Sequence, residues 1–226
     1  MNYFPFIFQD WKANKNNSKG RIILLLFRMA NFCSTRKIYY YFGFPYLLFY
    51  RVVVEWILTI ELPWNVTAGK NLVLYHGQCL VINNNVVIGE NCVLRHCTTI
   101  GNKQLADGSA SKSPVIGNNV DIGSNVCIIG DITINSNVII GSGAVVVKSI
   151  MANCIAVGNP AVEKQRKIRM EDFGYKPADL ARVYGDKGTV SKVLNYKQAL
   201  SLNMIRKFSE ILRIPVDALT KEYQLK

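Results

Sequence analysis

Histidine occurs only twice in this sequence, at His76 and His96. A long polar segment, residues 102–113, follows the second histidine closely. Imidazole titrates near neutral pH, so histidine is the natural general base for chemistry on a hydroxyl group. A neighbouring carboxylate would hold the ring in its productive tautomer and stabilise the imidazolium. Two histidines close to a long loop therefore indicate a catalytic site, although a single histidine on a repeat is usually a surface residue.

The chain around these histidines carries a six-residue repeat. Between residues 82 and 150 a large aliphatic residue recurs at this spacing, as in Ile116, Ile122 and Ile140. A period of six predicts a parallel β-helix, in which three repeat units close one triangular coil and the aliphatic side chains stack inside. Gly and Asn suit the corners because they tolerate positive φ. Strands of a β-sandwich would instead be separated by turns at irregular intervals of about 8–12 residues.

Composition limits the class of protein and its partners. The net charge is +12 over 226 residues, and half of the residues are hydrophobic, which excludes global disorder. The basic balance suits a polyanionic partner, whether nucleic acid, acidic polysaccharide or a phosphorylated cofactor. The six cysteines form no CxxC pair and no zinc-type cluster with histidine. We therefore expect no metal and a reducing, cytoplasmic location.

The N-terminal part of the chain predicts a helical segment over residues 1–60. We expect residues 1–17 to be loosely ordered, and helices at about 19–33 and 35–58 to cover one end of the β-helix. Pro45 should mark a helix break or a first helical position. No signal peptide is evident, and the uninterrupted apolar runs are shorter than the about 20 residues that span a bilayer. Any membrane contact is therefore expected to be peripheral.

The rest of the chain divides into three predicted parts. The β-helix occupies residues 61–162, with residues 102–113 as a loop extruded from one corner. A basic linker or short helix follows at 163–174. Residues 175–226 turn to helical periodicity and predict a small all-α domain. Its helices are expected near 179–183, 189–195 and 201–212, and a fourth is expected to open at Pro215.

Four motifs of the β-helix region occur in the order found in one family of enzymes. They are Tyr75-His76-Gly77, Val87-Ile88-Gly89-Glu90, Thr98-Thr99-Ile100-Gly101-Asn102 and Gly158-Asn159-Pro160-Ala161. Through them, residues 58–162 resemble the hexapeptide-repeat acetyltransferases of the serine acetyltransferase type, and look closest to the branch that O-acetylates colanic acid and capsular sugars. The resemblance implies a left-handed parallel β-helix and the use of acetyl-CoA as co-substrate.

The resemblance also implies catalytic roles. His76 stands where the family keeps its catalytic base, and Glu61, fifteen residues earlier, stands where serine acetyltransferases have the aspartate partner of that base. His96 matches a position that is His or Gln in relatives and is expected to line the pocket. His76 would remove the proton of an acceptor hydroxyl in a ternary complex, while backbone N–H groups stabilise the oxyanion. An acyl-cysteine at Cys79 or Cys97 is an alternative that the spacing does not favour.

Two departures from the serine acetyltransferase pattern bear on the acceptor. Tyr75 stands where those enzymes place an Asp, and Ser113 stands where they place a His after the loop. Because both missing groups serve the amino-acid substrate, we do not expect L-serine to be the acceptor. We expect Tyr75, His96 and Ser113 to contact a capsular or exopolysaccharide sugar. A small molecule or a nucleotide sugar remains the alternative acceptor.

In relatives, CoA lies in a groove between neighbouring subunits and is held largely by backbone groups at small residues. This arrangement implies a homotrimer with one site per interface, and a dimer of trimers stays open. The basic residues at the end of the β-helix would lie toward the nucleotide phosphates. The matching positions are Gly101, Asn102, Ser124, Ser142, Gly143, Gly158, Asn159, Pro160, Lys164 and Arg166.

The C-terminal helices resemble a different kind of domain. Residues 178–219 resemble the helix-turn-helix domains of antitoxins and phage repressors, most clearly in the segments 190–195 and 200–206. Such a domain would place the 189–195 helix in the major groove of DNA. It could instead serve packing, dimerisation of trimers or polysaccharide contact, because a fold does not fix a function. We do not expect nucleic acid as a partner, but a DNA-binding regulator with the β-helix as scaffold stays an alternative.

Overall fold

The computed structural model describes residues 3–165, 177–195, 197–212 and 216. The chain divides into two compact units, Met1–Arg166 and Lys167–Lys226, and each is described by itself. The first unit begins with the helices α1 Tyr3–Ile7, α2 Ser18–Ser34 and α3 Lys37–Tyr50, which continues as a π-helical segment, Arg51–Ile57. The second contains α4 Pro177–Tyr184, α5 Lys187–Leu194 and α6 Leu202–Leu212.

Short strands follow the helices and wind into coils. They are β1 Ile60–Glu61, β2 Thr67–Ala68, β3 Val73–Tyr75, β4 Leu80–Ile82, β5 Val87–Ile88, β6 Val93–Arg95, β7 Thr99–Gly101, β8 Val115–Ile116, β9 Asp121–Ile122, β10 Cys127–Ile129, β11 Thr133–Ile134, β12 Ile139–Ile140, β13 Val145–Val146, β14 Cys154–Val157 and β15 Val162–Gln165. The first sheet runs β1-β4-β7-β10-β13, the second runs β2-β5-β8-β11, and the third runs β3-β6-β9-β12-β14-β15. All of these pairings are parallel except that of β14 with β15. The parallel β-helix predicted from the six-residue period is confirmed.

The interior of the coils is filled by the aliphatic residues that define the repeat. Ile88, Ile116, Ile122 and Ile140 are all buried, and each stacks on its counterpart in the next coil. Burying such side chains contributes about 1.5–3 kcal/mol each. The repeat spacing therefore sets the core as well as the strand positions.

Asparagines occupy the corner between the second and third sheets. Each has φ between 56° and 62°, the left-handed region that Asn tolerates better than most residues. Their side-chain amides bond from coil to coil, with N···O distances of 2.9–3.1 Å. This asparagine ladder consists of Asn71, Asn91, Asn119, Asn137 and Asn153.

The N-terminal segment closes the open end of the first coil. An end coil presents backbone groups that no neighbouring strand satisfies. Asn14 Nδ2 donates to Leu72 O at 2.8 Å, and Leu72 N donates to Asp10 Oδ1 at 2.8 Å. Arg28 donates to Ala68 O at 2.7 Å and to Gly69 O. The expectation that residues 1–17 are loosely ordered is therefore wrong for the described residues 3–17, because the side chains of Asp10 and Asn14 pair with the edge of the coil.

Pro45 lies inside α3, so the prediction of a break or a first helical position there is wrong. The residue lies on an exposed side of the helix, where its missing N–H leaves no buried carbonyl unpaired. The helix is fixed by its C-terminal half, in which Leu47 and Tyr50 are buried. Within the described ranges, every helix is too short or too polar to cross a bilayer.

The predicted loop at residues 102–113 is confirmed between β7 and β8, where Gln104 and Ala110 form an isolated antiparallel bridge. The segment expected to be a linker or short helix at 163–174 begins instead as a strand, and residues 166–174 lie outside the described residues. Residues 162–165 form β15, which folds back antiparallel on β14. The returning strand satisfies the backbone edge of the last coil.

Three helices of the second unit surround a small core of their own. Leu180, Val190, Met204 and Phe208 are buried in it. The three helices agree with those predicted within a few residues at their ends, as is usual for helix boundaries. The fourth helix predicted to open at Pro215 lies outside the described residues.

Candidate active site

His76 lies at the corner that leads from the third sheet back to the first. Tyr75 aligns with Arg95, twenty residues on, whereas Val81 aligns with Thr99, eighteen residues on. The first coil therefore contains two extra residues at this corner. His76 and Gly77 have φ of 67° and 75°, so the insertion is made of two consecutive left-handed residues. Cys79 and Cys97 at the same corner also have positive φ, so the two-residue insertion, and not the conformation alone, distinguishes His76.

The second histidine lies one coil further along the same corner. The rings of His76 and His96 meet edge to face, with centroids 5.7 Å apart and planes at 80°. His76 is exposed and His96 is half-buried. Within the described part of the chain, His96 Nδ1 is buried and has no hydrogen-bond partner. A buried polar atom without a partner usually has a role beyond packing, such as binding a ligand or water.

Small residues continue this corner beyond the histidines, and we call the whole series the histidine corner: His76, His96, Ser124, Ser142 and Gly158. Asn125 N donates to His96 O at 3.1 Å, and Gly143 N donates to Ser124 O at 2.9 Å. Ser124 Oγ and Ser142 Oγ are 3.3 Å apart. At Gly143 an added β-carbon would meet no atom within 4 Å, so the backbone there is open to a close approach.

Other residues predicted to contact substrates lie at a different corner. Gly101 and Asn102 lie at the far end of β7, and Ser113 precedes β8. Ser113 is buried and donates to Asn83 Oδ1 at 2.9 Å. A groove of 460 Å³ opens beside them under the loop, lined by Lys103, Leu105, Ala110, Ser111, Lys112, Ile129, Gly130, Asp131, Ile132 and Val147. Within one chain, the structure does not bring this group to His76.

Comparison with known proteins decides the family. WcaB of Escherichia coli K12, named as a colanic acid biosynthesis acetyltransferase, is 40% identical over 157 residues, which cover 68% of this chain and 95% of WcaB. The chain belongs to the hexapeptide-repeat acetyltransferase family. Mitochondrial serine acetyltransferase 3 of Arabidopsis thaliana is 43% identical over 95 residues, 41% of this chain and 23% of that protein. No family model matches the chain.

Solved structures share the fold of this acetyltransferase. The serine acetyltransferase of Neisseria gonorrhoeae aligns with a TM-score of 0.62 at 23% identity, over 75% of this chain and 69% of that one. The enzyme of Brucella abortus, solved in complex with coenzyme A, aligns with a TM-score of 0.60 at 20% identity, over 73% and 68%. The left-handed β-helix with N-terminal helices is therefore shared, and the chain is an acetyl-CoA-dependent acetyltransferase. The comparisons do not show that the C-terminal helices belong to a helix-turn-helix domain.

Tyr75 of the acetyltransferase is held by a residue that the sequence reasoning missed. Arg95 Cζ lies 5.7 Å from the centroid of the Tyr75 ring, which is 42% exposed. The same guanidinium forms an ion pair with Asp121 and donates to Ile122 O at 2.8 Å. A uniform six-residue period would align Tyr75 with Val93, and only the two residues inserted at this corner bring Arg95 opposite Tyr75.

Glu61 lies on β1, is exposed and aligns with Val81 of the next coil. Cys79 N donates to Thr59 O at 2.8 Å, which brings the start of β1 to the corner that His76 occupies. Among the described contacts no hydrogen bond joins Glu61 to His76. Nearby, burial raises the pKa of Glu55, an effect that Arg51 opposes and Glu61 increases.

The two thiols beside the histidines are Cys79 and Cys97. Desolvation and the neighbouring Cys79 thiol raise the pKa of Cys97. A raised pKa keeps the thiol protonated, and the thiol is a far weaker nucleophile than the thiolate. In the ranges that the structure describes, no cluster of His, Cys, Asp and Glu could hold a metal ion.

The remaining predicted positions lie at the end of the β-helix. Asn159 and Pro160 are exposed in the turn between β14 and β15. Lys164 is exposed on β15, where it aligns with Ile155. Arg166 lies outside the described residues.

Proposed function

We propose that this acetyltransferase moves acetyl from acetyl-CoA to a hydroxyl of a capsular or exopolysaccharide sugar, with His76 as general base. The observation that carries the proposal is the edge-to-face pair of His76 and His96 at a corner that small residues continue. His76 is exposed, so an acceptor hydroxyl can reach its ring. The transfer is direct, within one complex of both substrates.

His76 accepts the proton of the attacking hydroxyl, which is the task for which imidazole is suited near neutral pH. Glu61 is assigned to orient that ring and to stabilise its protonated form. Its exposed side chain at the end of β1 is compatible with this role. His96 is assigned to the acceptor, and its buried, unpartnered Nδ1 supplies a polar contact.

A sugar acceptor fits the surroundings of His76. The exposed Tyr75 ring provides a flat face beside the base, and Arg95, which is itself paired with Asp121, holds that ring in place. The name of WcaB, which links it to colanic acid biosynthesis, supports the same class of acceptor.

The residues assigned to acetyl-CoA form two groups, which lie at two different corners of one chain. Ser124, Ser142, Gly143 and Gly158 offer a narrow, open strip of backbone, while Gly101, Asn102 and the basic groove with Lys103 and Lys112 lie elsewhere. We infer a homotrimer in which the histidine corner of one copy faces the loop groove of the next, so that Ser113 contacts the acceptor across the interface. Closed symmetry then gives three sites per trimer.

The test is release of free CoA from acetyl-CoA by the full chain, offered capsular oligosaccharides or L-serine. His76→Ala should lower kcat by about 10²–10⁴-fold, and Glu61→Gln should lower it by less. Glu90→Gln, an exposed carboxylate paired with Lys70 at another corner, is the matched control and should keep full activity. Turnover of L-serine in preference to every glycan, or an active His76→Ala enzyme, would overturn the proposal.

For the C-terminal helices we propose a role in assembly or in polysaccharide contact rather than in DNA binding. The exposed basic side chains of α4–α6, such as Lys187, Lys192 and Arg206, suit a polyanionic glycan as well as DNA. Titration with a fluorescent DNA duplex at low and high salt separates the two, since phosphate contacts make DNA affinity strongly salt-dependent. Tight, salt-dependent duplex binding would contradict this assignment.

A further inference from the structure

The N-terminal half of α3 exposes apolar side chains all around its circumference. From Ile38 to Phe42 every residue is exposed, and Tyr41 and Phe42 reach 79% and 77%. Five consecutive helical residues cover more than a full turn, so no polar face remains. A helix that packs only on its own core shows one apolar stripe and an opposite polar face. This part of α3 is therefore built to be covered by something other than the rest of the described chain.

The exposed half of α3 is anchored through hydrogen bonds of the other half. Tyr50 donates to Leu62 O at 2.6 Å and Tyr46 donates to Leu26 O at 2.9 Å, which ties the helix to α2 and to the β-helix. Tyr39 stacks on Phe32 at 5.0 Å, and Tyr3 of α1 meets the same ring at 4.9 Å. These contacts join α1 and α3 into one surface, which the π-helical segment extends. We call it the aromatic surface: Tyr3, Phe4, Ile38, Tyr39, Tyr40, Tyr41, Phe42, Phe44, Trp56 and Ile57.

The charges of the segment that carries the aromatic surface are almost all positive. Residues 3–57 contain eight Lys or Arg and two acids. Asp10 is buried against Arg28, and Glu55 is paired with Arg51. In the described part of the chain this leaves six basic side chains without an acidic partner: Lys12, Lys15, Lys19, Arg21, Arg36 and Lys37. Residues 58–160, by contrast, carry five basic and five acidic residues, so within residues 3–160 the N-terminal segment, and not the β-helix, carries the excess.

We propose that the aromatic surface docks onto the face of an anionic lipid bilayer. Tyr and Trp combine an apolar ring with a polar group, which suits the boundary between headgroups and acyl chains. The unpaired Lys and Arg of the same segment attract anionic headgroups, and Arg36 lies at the surface itself, with Cζ 5.8 Å from the centroid of the Tyr39 ring. A second copy of the chain fits less well, because a two-fold contact would bring the same basic rim against itself.

The experiment is co-sedimentation of the full chain with vesicles of phosphatidylcholine, with and without phosphatidylglycerol. The wild type should bind the anionic vesicles and bind neutral vesicles much less. Tyr41→Ser with Phe42→Ser should weaken binding by about tenfold or more, since two large apolar side chains no longer insert. Arg36→Gln with Lys37→Gln should weaken binding to anionic vesicles only. Met151→Ser, which removes a residue 64% exposed on the β-helix, is the matched control and should bind like the wild type.

Folding and self-association are checked on the same proteins. The replaced side chains are exposed, so the variants should melt within a few degrees of the wild type. Sedimentation velocity without lipid should give the same oligomer for the wild type and for the Tyr41/Phe42 variant. The proposal would be overturned if the wild type bound neither kind of vesicle. It would also be overturned if the Tyr41/Phe42 variant bound anionic vesicles as well as the wild type does. A smaller oligomer in the variant, together with no vesicle binding, would identify the surface as a contact between copies.

Discussion

The guanidinium of Arg28 forms a buried ion pair with Asp10, with 2.7 Å between Nε and Oδ2 and side chains only 1% and 4% exposed. Both partners also bond the backbone of the first coil. Leu72 N donates to Asp10, and Arg28 donates to Ala68 O and Gly69 O. The pair therefore fastens the N-terminal segment to the end of the β-helix that carries His76.

Arg28→Met should destabilise the protein by about 3–5 kcal/mol, because it leaves the Asp10 carboxylate buried without its counter-charge. Urea unfolding followed by circular dichroism measures the change. Lys19→Met is the control, since Lys19 is exposed on the same helix. Equal midpoints for both variants would mean that the carboxylate is rescued by other donors.

Asn119→Ala should cost about 1–3 kcal/mol, because Asn119 bonds both Asn91 and Asn137 in the asparagine ladder. Asn119→Gly should cost less, since only the alanine variant must place a β-carbon at φ of 56°. Thermal unfolding compares the two, with Asn84→Ala at an exposed turn as control. A glycine variant less stable than the alanine variant would refute the role of backbone strain.

Replacing Cys79 and Cys97 together by Ser should leave kcat within about threefold of the wild type. The raised pKa of Cys97 keeps that thiol protonated and therefore poorly nucleophilic. The assay is release of CoA, with mass spectrometry of the wild type after exposure to acetyl-CoA alone. An acetyl group found on either cysteine, with activity lost in the double variant, would establish a covalent route instead.

Glu55→Gln should change the pH dependence of stability. Burial raises the pKa of Glu55 in the folded state above the ordinary value of 4.5, so the folded protein binds this proton more tightly. That contribution is fully present below the unfolded pKa and is lost as pH rises through the folded pKa. The wild type should therefore lose stability relative to Glu55→Gln across this window, in melts from about pH 4 to pH 8. Glu90→Gln is the matched carboxylate control, and parallel curves for wild type and Glu55→Gln would contradict the prediction.

The sequence was informative where the structure is periodic. The six-residue spacing predicted the β-helix and the extruded loop, because an inward aliphatic residue must recur once per face. It failed at the N-terminus, where Asp10 and Asn14 bond Leu72, about sixty residues away, and no local pattern reports such a contact. The histidine pair could be anticipated from scarcity and resemblance. Arg95 could not, because its importance depends on its alignment with Tyr75 in the next coil.

The length of the histidine corner is set by the number of coils that it crosses. Neighbouring strands are about 4.8 Å apart, so the four coil-to-coil steps from His76 to Gly158 place the two ends about 19 Å apart. A coil without inserted residues takes eighteen residues, as from Cys127 to Val145. A related chain could lengthen or shorten this corner only by gaining or losing a complete coil, because residues inserted within a coil, such as His76 and Gly77, leave the number of coils unchanged. The length of this corner in related chains is therefore expected to differ by multiples of about 4.8 Å, the spacing of one coil.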